Sequence, residues 1–572
     1  MKMKKIIRNI SLGLMALASA SCLNLNPQDQ LSDADLWGKA GDYESFANVF
    51  YGWLPDFGTI YDNTHADKRS DLLKDKGGVN LFATGQNAVP QGDGEYTGPY
   101  ANIRRCNLLL EKAAGYSNQD EIAQYVGEAH FFRAWNYFQL MQKFGDVIIV
   151  NHTIDVDDAL MSSSRNNRSE VTDFIIEDLR KAASLMRPTA DVAEGRVGTE
   201  GAMAFLSRVA LFEGTWQKFR GNEARGKELL DIAAGAAKSV IDGGKFELFA
   251  PASLGETAQK YMFILEDVQC NPAGLQKSSN KEYIIKRCYD ATIKTCGRNI
   301  TNEVLANAQY VSAKLADMYL CQDGLPISVS PLFKGYDKIA SEWQNRDNRM
   351  RYNLMRPGDN FWNHENSHSR IDWSGSDAEI ARAKYRNFVP NWGSGYFPQK
   401  WATERDLGAD DKNASYDYPV LRYAEVLLNY AEAVFERDDK ISDKDLDYSL
   451  NLVRRRVNKS MPGLSNALVS TNGLDMRQEI RRERTVELFQ EGFRIDDLRR
   501  WKTAEKEMPM DFCGIMHVGE WKNRWSNPGV PISADGRLII ETGRVWAEKN
   551  YLHPLPIDQL QLNPNLKQNP GW

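Results

Sequence analysis

Residues 128–150 read EAHFFRAWNYFQLMQKFGDVIIV, and from Phe131 to Met141 this stretch is apolar nearly all round. A helix that lacks a polar face is buried on every side, so the pattern predicts a helix at the centre of the fold. Its limits are predicted at 118–144, between a capping pattern at Ser117-Asn118-Gln119-Asp120 and the helix-ending Gly145.

Other helical patterns flank this segment. Phe205, Val209, Phe212, Trp216 and Phe219 repeat at steps of four and three, which places them on one face of a helix. Paired helices of about 15–25 residues with short connections are typical of tetratricopeptide-like repeats. We predict helices near 32–54, 98–115, 169–186, 199–219, 222–242, 418–437, 442–459 and 474–501.

Residues 245–417 interrupt this helical pattern. They are rich in Gly, Asn, Asp, Pro and Trp and contain short strand-like runs such as EYIIKRCY at 282–289. A loop segment of this length in a folded protein is usually functional. The predicted fold is mainly α, a tetratricopeptide-like scaffold of helical pairs with a large irregular lobe of loops and short strands inserted. The scaffold is assigned to 22–244 and 418–572, and the lobe, as the ligand-binding part, to 245–417.

The first 22 residues read MKMKKIIRNISLGLMALASASC. A cationic start, a short apolar run and small residues before Cys22 predict a signal peptide over 1–21, too short to span a membrane. A cysteine at this place is typical of bacterial lipoproteins, acylated on Cys22 and anchored to a membrane by lipid. Ser19 stands where lipoproteins usually carry a larger aliphatic residue, so an ordinary signal peptide with an incidental cysteine stays open.

Composition excludes several classes of function. The chain has 572 residues and a net charge of -6, which offers no polycationic surface for nucleic acid. Seven cysteines occur without a CxxC pair, so neither a structural zinc site nor a specific disulfide is predicted. The sequence lacks a phosphate-binding Gly loop and a G-x-S-x-G elbow, and we predict no cofactor. Asp155, Asp157 and Asp158 lack EF-hand spacing and are interpreted as a solvated loop rather than a calcium site.

Residues 364–368, HENSH, match the H-E-x-x-H motif of zinc metalloproteases. On a helix, His364 and His368 would share one face and bind Zn²⁺ while Glu365 activates a water molecule. The surrounding sequence, DNFWNHENSHSRIDWSGSD, has no apolar stripe at helical spacing, which favours a chance match in a loop. A secreted zinc peptidase remains the alternative of a different class, and it requires a helix across 360–370.

Residues 481–502 carry five carboxylates, Glu483, Glu487, Glu491, Asp496 and Asp497, interleaved with six arginines. Two carboxylates are the machinery of glycoside hydrolysis. Interleaved opposite charges, such as Asp496 and Arg500 at i,i+4, instead favour ion pairs that hold a helix in place. We interpret this helix as structural.

Four blocks in this order resemble the SusD/RagB family of outer-membrane nutrient-binding lipoproteins of Bacteroidetes. They are residues 128–150, DGLPIS at 323–328 with NRDNRM at 345–350, YPVLRYAEVLLNYAEA at 418–433, and RRERTVELFQEGFRIDDLRRWK at 481–502 with YLHPLPIDQLQLNPNLKQNPGW at 551–572. The resemblance implies a protein that is not an enzyme, binds oligosaccharide at the cell surface and sits as a lid on a SusC-like TonB-dependent transporter. Acidic residues just after the lipid often accompany surface display in these bacteria, and none precedes Asp29 here. We therefore expect a location in the outer membrane, facing the cell exterior, because the family resemblance implies it. The acidic residues that accompany surface display do not add support.

A sugar-binding ring must be exposed, because Trp and Tyr faces stack on the C–H faces of sugars while polar side chains bind the hydroxyls. Trp135, Trp216 and Trp501 lie on buried helical stripes, and Tyr396 matches a family strand, so these four are predicted to be structural. Trp521 and Trp525 are candidates for contact with the transporter. The predicted ligand-binding residues are Trp343, Trp362, Trp373 and Trp392 in the lobe, Tyr96 before the 98–115 helix, and Arg69 and Asp71 in a polar loop.

The same scaffold would also allow capture of peptides. A peptide site favours a larger cavity with polar groups that bind backbone, whereas a sugar site favours an exposed aromatic platform.

Overall fold

The computed structural model describes residues 37–58, 67–75, 80–81, 83–301, 304, 309–356, 360–364, 367–370, 393–403, 412–524 and 526–572, with the backbone alone at 360–364 and 367–370. The predicted signal peptide and Cys22 lie outside these residues. Among the described residues, no helix combines the length and apolar character needed to cross a bilayer.

The N-terminal half is a series of helices in which each helix packs on the next along the chain. Phe131, Tyr137 and Leu140 of the central helix are fully buried, as the apolar run predicts. The helices are α1 Ala40–Asn48, α2 Gly94–Ala114, α3 Gln119–Phe144, α4 Arg168–Leu185, α5 Thr199–Lys218 and α6 Glu223–Asp242. The predicted tetratricopeptide-like scaffold is confirmed.

Local sequence signals set the ends and the spacing of these helices. Asn167 begins α4 with a capping box, in which its side chain accepts from the Glu170 amide. Helix α3 ends at Phe144 and is followed by Gly145, whose φ of 76° suits glycine. Helices α5 and α6 approach closely, since a Cβ at Gly226 would lie 3.0 Å from the carbonyl oxygen of Gly214.

The lobe and the C-terminal part contain shorter elements. The helices are α7 Ala258–Met262, α8 Ala313–Met318, α9 Asn348–Asn353, α10 Tyr423–Asp438, α11 Asp443–Tyr448, α12 Leu450–Arg455, α13 Asn466–Thr471, α14 Met476–Glu487, α15 Arg494–Arg500, α16 Ala504–Glu507, α17 Gly519–Arg524 and α18 Ile557–Leu562. The strands are β1 Leu73–Asp75, β2 Tyr283–Arg287, β3 Gln309–Val311, β4 Asn360–His364, β5 Ser367–Arg370, β6 Tyr418–Arg422, β7 Phe512–Met516 and β8 Arg537–Glu541.

The strands form antiparallel pairs: β1 with β3, β2 with β6, β4 with β5 and β7 with β8. The pairing of β2 with β6 joins the lobe to the scaffold. It also corrects the helix predicted at 418–437, because its first five residues form β6 and the helix begins at Tyr423.

The helix predicted over 474–501 is two helices, α14 and α15. Between them Gln490 and Gly492 have φ of 57° and 82°, which no α-helix allows. The helix predicted over 442–459 is likewise divided, at Ser449.

Buried ion pairs fasten the lobe to the scaffold. Glu487 on α14 contacts Arg422 at 2.7 Å and Arg349 of the lobe at 3.1 Å. Five cations and five carboxylates, four of these ten residues from the lobe, join in this way. The buried ion network is Glu282, Asp347, Arg349, Lys400, Arg422, Arg454, Arg456, Glu483, Glu487 and Glu491.

The structural interpretation of residues 481–502 therefore holds, although Arg500 has different partners from the one that spacing predicted. Arg500 pairs with Glu432 on α10 and with Asp497 at 2.8 Å, rather than with Asp496. Arg484 pairs with Asp497 at 2.9 Å, across the break between α14 and α15. The cysteines of the described residues are all free thiols.

Candidate ligand-binding site

A cavity of about 520 Å³ opens between α8, the loop at 326–328 and strands β7 and β8. Its volume falls within the roughly 300–1,000 Å³ typical of ligand pockets. The lining combines charged side chains with the apolar groups Met318, Ile327 and Met510. Polar and charged side chains converge around this partly open space, which is large enough for a sugar unit.

Asp71, a predicted ligand-binding residue, lines this cavity from below. Its carboxylate is buried and pairs with Arg494 at 2.8 Å and with Lys314 at 2.6 Å. Burial alone would raise the pKa of Asp71, but the two cations outweigh burial and hold that pKa well below its ordinary value. Asp71 is thus a charged anchor that fixes Lys314 at the cavity, rather than a free group in an exposed loop.

Asp317 and Arg537 form a second pair in the lining. The guanidinium of Arg537 donates to Asp317 at 2.8 Å, and the hydroxyl of Tyr336 donates to the same carboxylate at 3.2 Å. Burial raises the pKa of Asp317 above its ordinary value, against the opposing effect of Arg537. Asp317 is half-buried, so part of its carboxylate faces the open cavity.

The remaining charges of the lining are arranged similarly. Lys314 also contacts Glu507 of α16, and Arg544 donates to Glu541 at 2.8 Å. Asp511 and Asp535 are exposed at the rim. The arrangement suits the binding of a polar, hydroxyl-rich molecule, because charged acceptors make strong hydrogen bonds to hydroxyl donors.

Tyr96 does not meet the requirement for a sugar-stacking ring. It lies in the first turn of α2, not in a loop before it, and is only 3% exposed. Its ring packs against Tyr100 and Phe144, with centroids 5.3 and 5.0 Å away. The predicted position of Tyr96 in an exposed loop was wrong because the helix starts at Gly94, four residues earlier than the sequence indicated.

Arg69 ends a short 3-10 turn and is not among the residues that line the cavity. Its side chain is half-buried, and burial lowers its pKa, while the negative charge of Glu95 opposes the shift. Glu95 belongs to α2. Arg69 is therefore held toward the scaffold, whereas Asp71, two residues later, reaches the cavity.

The tryptophan predictions have separate outcomes. Trp343 ends a short 3-10 turn, is half-buried against the core and is not among the residues lining the cavity. Trp362 belongs to strand β4, whose side chains are not described, and Trp373 and Trp392 lie outside the described residues. Their ligand-binding role remains a prediction.

Several aromatic residues predicted to be structural are confirmed as such. Trp135, Trp216, Trp501 and Tyr396 are all buried. Trp521, predicted to face a partner, is 4% exposed and belongs to the core, which corrects that prediction. Trp525 lies outside the described residues.

The HENSH segment does not form the helix that zinc chemistry requires. His364 ends strand β4, and His368 lies in strand β5, paired with Asn363. The two histidines therefore do not share a helix face. The zinc peptidase alternative required a helix across 360–370, and the strands found there contradict it.

Two groups of three potential metal ligands occur in the described part of the chain, each with a lysine among its carboxylates. Lys143 lies 3.2 Å from Glu95, and Lys286 lies 2.9 Å from Asp417. Lys286 also contacts Glu194 at 2.6 Å, and Asp93 caps α2 by accepting from the Glu95 amide, so each carboxylate already has a partner. The groups are Asp93, Glu95 and His553, and Glu194, Cys288 and Asp417.

The aspartate-rich loop at 155–158 has the solvated character predicted for it. Asp155 and Asp157 are exposed. Asp158 accepts from the Leu160 amide at 2.8 Å and contacts His152 at 2.7 Å, which makes it a local cap.

Sequence reasoning missed most of the cavity lining. Asp317 and Arg537 are separated by 220 residues, and no spacing motif connects them. One signal was present: Pro326, Ile327 and Ser328 of the quoted DGLPIS block line the cavity. The DGLPIS block therefore indicated part of the cavity lining but not the charged residues that lie beside it.

Comparison with known proteins identifies the family. A family model described as "SusD family" matches residues 275–572, and one described as "Starch-binding associating with outer membrane" matches residues 79–211. A SusD-like protein P2 from Formosa agariphila is 24% identical over 602 aligned positions that cover the whole of both chains.

Solved structures share the fold. A SusD-like carbohydrate binding protein from Bacteroides fragilis has a TM-score of 0.72 at 21% identity and covers 93% of this chain and 100% of its own. Surface glycan-binding protein A from Bacteroides fluxus has a TM-score of 0.61 at 18% identity, with coverage of 93% and 100%. The match to the first family model over more than half of the sequence, on this scaffold, establishes that the chain belongs to the SusD family.

Proposed function

We propose that the chain is a lipid-anchored outer-membrane protein that captures a glycan and delivers it to a SusC-like TonB-dependent transporter. The observation that carries this proposal is the fold, shared over 93% of the chain with a protein described as a SusD-like carbohydrate binding protein. The second family model, with its description of starch binding and outer-membrane association, supports the same ligand class and location. The lipoprotein pattern at Cys22 supplies the anchor.

The proposed binding region combines the cavity with the lobe. Asp317 and Asp511 are proposed to supply acceptors for sugar hydroxyls, and the lobe tryptophans Trp362 and Trp373 are proposed to supply stacking rings. The protein is proposed to bind without catalysis. In support of this, Glu483, Glu487 and Glu491 are held in ion pairs with arginine or lysine, which removes them as an acid and base pair.

Peptide capture is the second candidate, and one observation favours it. The described lining of the cavity contains polar and charged groups but no tryptophan, and a polar cavity without an aromatic platform is the feature expected for a peptide site. Glycan capture is preferred because the fold relatives are described as binding carbohydrate or glycan.

Affinity electrophoresis of the full-length chain in detergent tests the proposal. The chain is run through gels that contain neutral and acidic polysaccharides, one per gel, beside Trp362→Ala and Trp373→Ala. Trp572→Ala is the matched control, because this half-buried ring lies at the C-terminus and its indole donates to Lys549 and Leu552.

Retardation by one polysaccharide that is lost in a lobe variant and kept in the control is the expected result. Failure of every polysaccharide to retard the folded chain would contradict glycan capture. Binding of a mixed peptide pool in the same preparation would then establish the second candidate.

A further inference from the structure

The charges of the cavity carry information about which glycans it accepts. Four cations and five carboxylates line the described part of the cavity. A site for uronate or sulfate groups needs a cation that is free to pair with the ligand. Whether these cations are free is decided by their contacts.

Each cation of the lining already has a carboxylate partner. Lys314 is shared between Asp71 and Glu507, and Arg537 pairs with Asp317. The other two cations pair outside the lining, Arg482 with Glu479 at 3.1 Å and Arg544 with Glu541 at 2.8 Å. An anionic ligand would have to compete with these carboxylates for the positive charge of each cation.

The carboxylates, in contrast, are in excess. Asp511 is exposed at the rim, and it has no ion pair among the described residues. Asp535, also exposed, lies 3.6 Å from an arginine that already pairs with Asp317. A hydrogen bond from the Ser533 hydroxyl lowers the pKa of Asp535, so this carboxylate is charged at neutral pH.

Met510 adds an apolar contribution at the same rim, since it is among the exposed large hydrophobic side chains of the molecule. Aliphatic surface beside carboxylate acceptors matches the alternation of C–H and hydroxyl groups on an uncharged sugar. This combination of aliphatic surface and carboxylates provides no favourable charge interaction for a sulfate or carboxylate group of a ligand.

We infer that this cavity selects neutral glycans and excludes glycans that carry carboxylate or sulfate groups. This inference rests on the proposed function and names the ligand class of the same site. The selection arises from repulsion by surplus carboxylates together with the prior pairing of every lining cation, which is a form of specificity by unfavourable contacts.

A matched pair of ligands tests the inference. One is the neutral polysaccharide that retards the chain in gels, and the other is the same polysaccharide with part of its primary hydroxyls oxidised to carboxylates. Binding is measured by calorimetry with the full-length chain at low and high salt. We expect the oxidised form to bind at least tenfold more weakly at low salt, and the difference to narrow at high salt because the repulsion is screened.

Two variants separate the cavity from the overall charge of the chain. Asp317→Asn releases Arg537, and Asp511→Asn removes an exposed rim charge without disturbing an ion pair. Each is expected to reduce the difference between the two ligands to threefold or less. Asp157→Asn removes one negative charge from an exposed loop outside the cavity and is expected to leave the difference unchanged.

The outcomes are distinct. Equal or tighter binding of the oxidised form, or a retained tenfold difference in folded Asp511→Asn, overturns the inference and leaves glycan capture standing. Binding of acidic polysaccharides alone in the gel series does the same. Absence of binding to any polysaccharide overturns the proposed function and the inference together.

Discussion

Replacing Glu487 by glutamine removes one negative charge from the buried ion network while preserving the shape of the side chain. In the native protein this carboxylate contacts Arg349, Arg422 and Arg456, and all four side chains are buried. Burial alone would raise the pKa of Glu487, but these arginines hold it well below the ordinary 4.5. The network has equal numbers of cations and carboxylates, so Glu487→Gln leaves one buried positive charge without compensation.

Loss of one partner from a buried ion pair costs about 3–5 kcal/mol. For a chain of this size, an unfolding entropy of about 2.1 cal/mol/K per residue converts that cost into a Tm decrease of about 2–4 °C. The assay is thermal unfolding followed by circular dichroism at pH 7. Glu177→Gln is the matched control, because Glu177 forms an exposed i,i+4 pair with Lys181 at 2.7 Å. Exposed pairs contribute about 0–1 kcal/mol, so its Tm should change by less than about 1 °C.

If Glu487→Gln and Glu177→Gln show the same Tm within error, the reasoning that buried ion pairs fasten the lobe to the scaffold is refuted. The sign of the pH dependence provides a second check. The folded pKa of Glu487 lies below its unfolded value, so its contribution is present above pH 4.5 and is lost as the pH falls below that value. The variant should therefore lose less stability than the native chain on acidification.

Three other predictions concern the scaffold and the site. Gly226→Ala should destabilise the chain by about 1–3 kcal/mol because its Cβ would press on the backbone of α5, whereas Gly235→Ala, with nothing within 4 Å, should be neutral or slightly stabilising in the same melting experiment. Burial raises the pKa of Asp67 from 3.8 to about 7, although backbone amides of Arg494 and Gln490 donate to its carboxylate. The stability of the folded chain should therefore decline as the pH rises from about 4 to 7, because the buried carboxyl group must ionise. In measurements of Tm against pH, Asp67→Asn should abolish this decline. Tyr96→Phe should leave polysaccharide retardation unchanged, because the ring is buried, and a loss of retardation in a folded variant would place this residue back in the site.

Helical periodicity was sufficient to predict the scaffold. The apolar run in α3 and the stripe on α5 report burial directly, since the faces of a helix follow from its 3.6-residue period. The same reasoning failed at Tyr418–Arg422, because a fully buried strand and a buried helix segment have similar apolar composition. Only the pairing with Tyr283–Arg287, more than 130 residues away, determines that this segment is a strand.

The site was much less predictable. Asp71 was identified as a polar residue of a loop, but its buried pairs with Lys314 and Arg494 depend on contacts across about 240 and 420 residues. Local spacing also predicted the wrong partner for Arg500, because tertiary packing brings Glu432 of a neighbouring helix against its guanidinium. The alternating charges of residues 481–502 were sufficient to predict that these side chains form ion pairs. The identity of each partner depends on tertiary packing.

A crystal structure of the chain with an oligosaccharide from the polysaccharide that retards it would test the central claim most directly. The account predicts a neutral oligosaccharide in the cavity of about 520 Å³, with hydroxyls within hydrogen-bonding distance of Asp317 or Asp511. Density for the sugar at another surface, with this cavity empty at saturating ligand, would contradict the assignment of the site.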